Sequence, residues 1–164
     1  STAGSRAKLT RSRRALRGAV VNCQLSIVNA NAAVDAAAGG GGGGGGTTTV
    51  AEMESNNTRG TAQAITPNPA LVNGRLSTTS DTDYFRVTLG AGKTLTATLT
   101  PPAGVDYDVY LYNSAGTQVA SSTKGAGVVD TASFANGGSA AVTVYARVRY
   151  YSGGAVDYTL GLSQ

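Results

Sequence analysis

Residues 39 to 46 are eight consecutive glycines, and no regular element can run through them. Glycine loses more backbone freedom on ordering than any other residue and has no side chain to bury, so the run reads as a flexible tether. With Thr47, Thr48 and Thr49 it defines a linker over residues 39–49, the glycines alone having a root-mean-square reach of roughly 16 Å. The chain therefore divides into residues 1–38 and residues 50–164, which are read separately.

After the linker, apolar and polar residues alternate with period two, the pattern of half-buried strands. Phe85, Val87 and Leu89 alternate with Tyr84, Arg86 and Thr88, and Leu95, Ala97 and Leu99 alternate with threonines. Tyr107, Val109 and Leu111 share one face, Val144, Ala146 and Val148 another, and Tyr158, Leu160 and Leu162 close the chain. Each run ends at a turn signal, such as Gly90-Ala91-Gly92, Pro101-Pro102 or Asn136-Gly137-Gly138. No segment in this region has the period of a helix. The expectation is an all-β, antiparallel β-sandwich of seven to eight strands over residues 50–164, a stretch of about 115 residues and long enough to bury a core.

Before the linker, Ile27, Ala30, Ala33, Val34 and Ala37 recur at three- and four-residue spacing within Ser26–Ala38. That spacing predicts a short helix, ended at Gly39. A helix of this length is marginal alone in water, so it is expected to have packed on something upstream. The chain begins at Ser1 without an initiator Met, and is expected to be a fragment or processed product of a longer protein.

Composition excludes several function classes. The chain has no His, so it contains neither a Ser-His-Asp or Cys-His nucleophile nor a His-ligated zinc, and the single Cys23 can form no internal disulfide or thiolate cluster. Six of its thirteen Lys and Arg residues precede residue 20, and after residue 46 seven basic residues face eight acidic ones. The basic pI thus describes a leader, read as a solvated surface segment in preference to a nucleic-acid arm, and no nucleic-acid partner is expected. No apolar run approaches the ~18 residues of a membrane helix, so no membrane span is expected. The glycine run lacks the Lys-Ser/Thr of a phosphate-binding loop.

Four ordered motifs carry a resemblance. Glu52-Met53-Glu54-Ser55-Asn56-Asn57 is similar to the E-x-E-x-N-N/D opening of the bacterial pre-peptidase C-terminal domain. Gly74-Arg75-Leu76, leading into Asp81-Thr82-Asp83-Tyr84-Phe85, resembles that family's G-x-hydrophobic and D-x-D-Y-F signatures. Asp106 to Tyr112 with Gly116 resembles its D-x-D-hydrophobic-Y-L-Y hairpin, and Tyr158-Thr159-Leu160 its closing strand. The resemblance covers residues 52 to 162 and implies a jelly-roll-like sandwich. Upstream, Cys23 and Ile27-Val28-Asn29-Ala30-Asn31-Ala32-Ala33-Val34 resemble the last helix of subtilisin-like serine peptidase domains, although Leu25 and Ser26 replace the usual Gly-x. Together they imply a non-catalytic C-terminal accessory domain of a secreted bacterial subtilisin-like serine endopeptidase. Its partners would be the upstream peptidase domain and a protein or polysaccharide polymer substrate. A removable maturation or secretion element, and a stand-alone calcium-dependent adhesion module, are the alternatives.

The candidate cofactor is calcium. Glu52, Glu54, Asn56 and Asn57 put hard oxygen donors on one short segment, and Asp81 and Asp83 offer more from a neighbouring turn. Calcium-binding members of the family draw ligands from these two motifs, and the resemblance implies the same residues here. Asn57 stands where some of those members have Asp, which removes a charge. The other reading makes the glutamates solvated and the aspartates turn caps. Asp106 and Asp108 share one strand face, which suits a second metal site or, more commonly, edge and turn roles. Tyr110, Tyr112, Tyr145 and Arg147 fall on outward strand faces, where they suit either polymer docking or ordinary cross-strand pairing.

Overall fold

The structure is a computed structural model and describes residues 46–164. The helix expected over Ser26–Ala38, the basic leader, Cys23 and most of the glycine run lie outside the described residues. The described part contains ten strands and no helix. In chain order they are β1 (Thr48–Ala51), β2 (Gln63–Ala64), β3 (Ala70–Arg75), β4 (Thr82–Leu89), β5 (Thr94–Thr100), β6 (Asp106–Asn113), β7 (Gln118–Ser122), β8 (Asp130–Ala135), β9 (Val142–Ser152) and β10 (Asp157–Ser163). They form two five-stranded sheets, β1-β3-β10-β5-β8 and β2-β4-β9-β6-β7, packed as a sandwich.

The alternating residues behave as their period requires. Phe85, Leu89, Leu95, Leu99, Val109, Leu111, Val144, Val148 and Leu160 are fully buried between the sheets, while their neighbours in sequence face outward. Tyr107 also points inward, and its hydroxyl donates to Gly154 O at 2.6 Å and accepts from Val156 N at 2.8 Å. The polar tip of a buried ring is thereby satisfied, and the start of β6 is tied to the β9–β10 turn.

Two features differ from the sequence expectation. The strand count is ten, because the edges carry the four-residue β1 and the two-residue β2, both too short to display alternation. The sandwich accordingly begins at Thr48, inside the stretch assigned to the linker. Pairing is antiparallel throughout except at those same edges, where β1 runs parallel to β3 and β2 parallel to β4. The first four strands alternate between the sheets, so each meets its sheet neighbour only after the chain has crossed to the other sheet and returned. Such a crossover, unlike a hairpin, allows parallel pairing.

Candidate metal centre

The segment from Glu52 to Asn57 makes the first of these crossings. Glu52 N still donates to Asn73 O of β3 at 3.0 Å, while Asn56 O already accepts from Tyr84 N of β4 at 3.0 Å. The Gln63 side chain clamps the departure point, donating to Ala51 O and accepting from Met53 N, both at 2.9 Å. The glutamates are therefore carried over the end of the sandwich, above the start of β4.

There the second motif meets them. Asp81 is buried and fully engaged: Oδ2 accepts from Ser77 N and Ser77 Oγ at 2.7 and 2.6 Å, and Oδ1 from Thr82 N at 2.9 Å. Asp83 takes an inward position on β4 in register with Phe85 and Val87, so its carboxylate lies within the sandwich with no exposed surface. Its Oδ2 accepts from the Tyr158 hydroxyl of β10, in the opposite sheet, at 2.5 Å. Glu52 accepts from Asn56 Nδ2 at 3.0 Å and from Arg75 N at 2.6 Å, and Glu54 accepts from Asn56 N at 3.2 Å.

Glu52, Glu54 and Asp83 each bring a carboxylate oxygen within 4.8 Å of the others. Two oxygens at this point, Asn56 Oδ1 and Asp83 Oδ1, are fully buried and receive no hydrogen bond from the protein. A buried acceptor without a donor costs free energy unless something else satisfies it. The electrostatics agree. Burial pushes the Asp83 carboxyl up to about 9, against the lowering effect of the Tyr158 hydroxyl, and Glu52 and Asp81 push in the same upward direction. Glu54 is raised by burial, with Asp81 and Glu52 adding to the rise and the Asn56 N–H opposing it. Tyr158 is raised well above its ordinary value by burial and then by the negative charge of Asp83 and Glu52. The arrangement is an all-oxygen, acceptor-rich cluster that fits a hard cation, whose charge would satisfy both orphaned oxygens at once. A recess of about 790 Å3 opens beside it, walled in part by Glu52, Glu54, Ser77 and Tyr158.

Of the predicted ligands, Glu52, Glu54 and Asp83 bring carboxylate oxygens together and Asn56 joins them through its hydrogen bonds to both glutamates, while both Asp81 oxygens are taken by Ser77 and Thr82. Asn57 is exposed, and its backbone carbonyl accepts from Thr82 Oγ1 at 3.2 Å. Sequence reasoning missed Ser77 and Tyr158 as neighbours of the site. The available signal was Gly74, a glycine inside a strand. It pairs with Tyr158 across β3 and β10, and a Cβ built on it would lie 2.3 Å from Tyr158 Cζ. Only glycine there lets the ring lie flat enough to reach Asp83.

No family model matches the chain, and neither does any curated protein. Among solved structures it is similar to the pre-peptidase C-terminal domain of a collagenase from Bacillus anthracis, at 19% identity over 62% of this chain and 92% of that one, with a TM-score of 0.48.

The outward-facing tyrosines and arginines gather elsewhere. On the outer face of the second sheet, Tyr84, Arg147 and Tyr110 form one cross-strand row, and Arg86, Tyr145 and Tyr112 the next. Arg147 lies 5.5 Å from the Tyr84 ring centre, Arg59 lies 5.9 Å from that of Tyr145, and the Tyr84 and Tyr112 rings are 6.3 Å apart. These contacts are intramolecular cation–π and aromatic pairs of the kind that stabilise a sheet face.

Proposed function

We propose that the sandwich is a non-catalytic, calcium-stabilised accessory domain of a secreted subtilisin-like serine endopeptidase, held near the catalytic domain by the glycine tether. The observation that carries the reading is the meeting of three motifs far apart in sequence. Glu52 to Asn56, Asp81 to Asp83 and Tyr158 share one acceptor-rich point where two buried oxygens lack a donor. These are the motifs that resemble the pre-peptidase C-terminal domain, and an ion bridging them would pin the crossing segment, β4 and β10 together. The parent activity is supported by the resemblance of residues 23–34 to the closing helix of a subtilisin-like domain. A tether of this kind raises the local concentration of a substrate-binding module near an active site. Titration calorimetry of the full 164-residue chain with calcium is expected to give saturable binding that weakens at least tenfold in Glu54→Ala and in Asp83→Ala. A parent protein that evolves no heat removes calcium from the account. Mass spectrometry of the secreted parent enzyme separates a retained accessory domain from a maturation element cut off at the linker.

The Tyr/Arg rows on the second sheet support a second reading, docking onto a protein or polysaccharide polymer. Tyrosine presents a large rigid surface at small entropic cost. Co-sedimentation with insoluble collagen, elastin, keratin and chitin is the test, and Tyr110→Ala/Tyr112→Ala is expected to lose at least half of the bound fraction. Equal retention of the variant leaves these side chains as sheet-stabilising pairs alone.

A further inference from the structure

We propose that Asp106, Asp108 and Asp130 form a second site for a hard divalent cation, independent of the first. Asp106 and Asp108 lie on β6 and Asp130 opens β8, and all three are buried, at 7%, 4% and 0% exposure. Among the described residues the one ion pair within 4.0 Å is Arg75–Asp157, so none of the three aspartates has a cationic partner at that range. Their hydrogen bonds are also incomplete. Asp130 Oδ1 accepts from Ser122 Oγ at 2.5 Å and Lys124 N at 2.9 Å, and Asp108 Oδ2 accepts from the Tyr110 hydroxyl at 2.9 Å. Asp106 Oδ1 and Asp130 Oδ2, both fully buried, receive nothing.

Burying an uncompensated carboxylate is costly, and three together also repel one another. Lys124 links the set, its N–H donating to Asp130 Oδ1 at 2.9 Å while the residue lines one recess with Asp106 and Asp108. A ligand that relieves the repulsion must be positive, and small enough to reach oxygens sealed from solvent. Every donor is a hard oxygen and the chain has no His, which selects calcium or a similar divalent ion over softer metals. Asp106 and Asp108, but not Asp130, line a recess of about 520 Å3 that Arg149 and Lys124 also line. Lys124, on the same recess, turns its Nζ to Val129 O at 2.9 Å. Only the first cluster among the described residues has three carboxylates already within 4.8 Å, so the ion must draw the second set together, and the second site is the weaker of the two.

The test uses the full chain carrying Glu54→Gln/Asp83→Asn, which removes the first site. Terbium luminescence excited through tyrosine, with calcium as competitor, is expected to report one remaining site near Tyr110, and calorimetry of the unsubstituted chain two sites. Adding Asp106→Asn should weaken the remaining site at least tenfold. Asp106 is the cleaner probe, since its Oδ1 has no hydrogen bond to lose, and circular dichroism with a thermal melt in EDTA confirms that the variant still folds. If Glu54→Gln/Asp83→Asn binds no terbium while the unsubstituted chain binds calcium, the second site does not exist and the first stands. If only the first-site substitutions are silent and Asp106→Asn abolishes binding, the first site falls and the second stands. A folded Asp106→Asn variant with unchanged binding overturns this proposal.

Discussion

Chelating divalent cations with EDTA is expected to lower the melting temperature of the sandwich at pH 7 by roughly 10–20 °C, because an ion present at about a thousand times its Kd adds about 4 kcal/mol of stability. The pH dependence of the chelated protein identifies the cause. Asp83 has a carboxyl raised to about 9 in the fold, against an ordinary value of 3.8. Between those limits the folded state binds more protons than the unfolded chain, so stability is greatest below the unfolded pKa and falls as pH rises toward 9. Glu54, Asp106 and Asp108 are raised as well and act with the same sign. In EDTA the melting temperature should therefore decline steadily from pH 5 to pH 9. In excess calcium the decline should flatten or reverse, since the ion takes the place of the proton. Scanning calorimetry at pH 5, 7 and 9 with and without calcium reads both effects, and identical melting temperatures in the two series at pH 7 would sink the metal assignment.

Gly74→Ala should be among the most damaging single-methyl additions in the domain, costing about 3 kcal/mol or more from overpacking together with loss of a buried hydrogen bond. The new Cβ would stand 2.3 Å from Tyr158 Cζ and 2.4 Å from its hydroxyl oxygen, so the ring must leave its place. With it go the hydrogen bond to Asp83 and the edge-on packing against Tyr107, whose ring centre is 6.1 Å away. Calcium affinity should fall in parallel, because Asp83 loses the partner that orients it. A double-mutant cycle with Tyr158→Ala isolates the clash: in that background the added methyl should cost under about 1 kcal/mol, the residual strain of a substitution made into vacated space. An equal cost with and without Tyr158 would show that the damage lies in the β3 backbone.

Much of the sandwich was legible because burial between two layers forces a period of two. Phe85, Leu99, Val109, Val148 and Leu160 were identifiable as core from their spacing alone, and each is fully enclosed. Strands β1 and β2 escaped the same reading, since two to four residues hold too little alternation and β1 is largely exposed. The carboxylates of the first cluster were legible as candidates because two motifs concentrate them. Tyr158 was read only as a core strand residue, and Asp130 carried no local signal at all.

Residue type and periodicity by themselves determined that residues downstream of the glycines build stacked sheets, which side chains turn inward, and that any chemistry here is done without histidine. Only the tertiary structure decided which oxygens share a point. Asp83 faces the core in register with Phe85, yet whether a carboxylate at such a position is a defect or a ligand depends on what arrives above it. What arrives is fixed by the path of Glu52 to Asn57 from one sheet edge to the other, and by a ring from the opposite sheet passing over Gly74. Such meetings join positions as distant as Asp83 and Tyr158, 75 residues apart, or farther, and no local pattern records them.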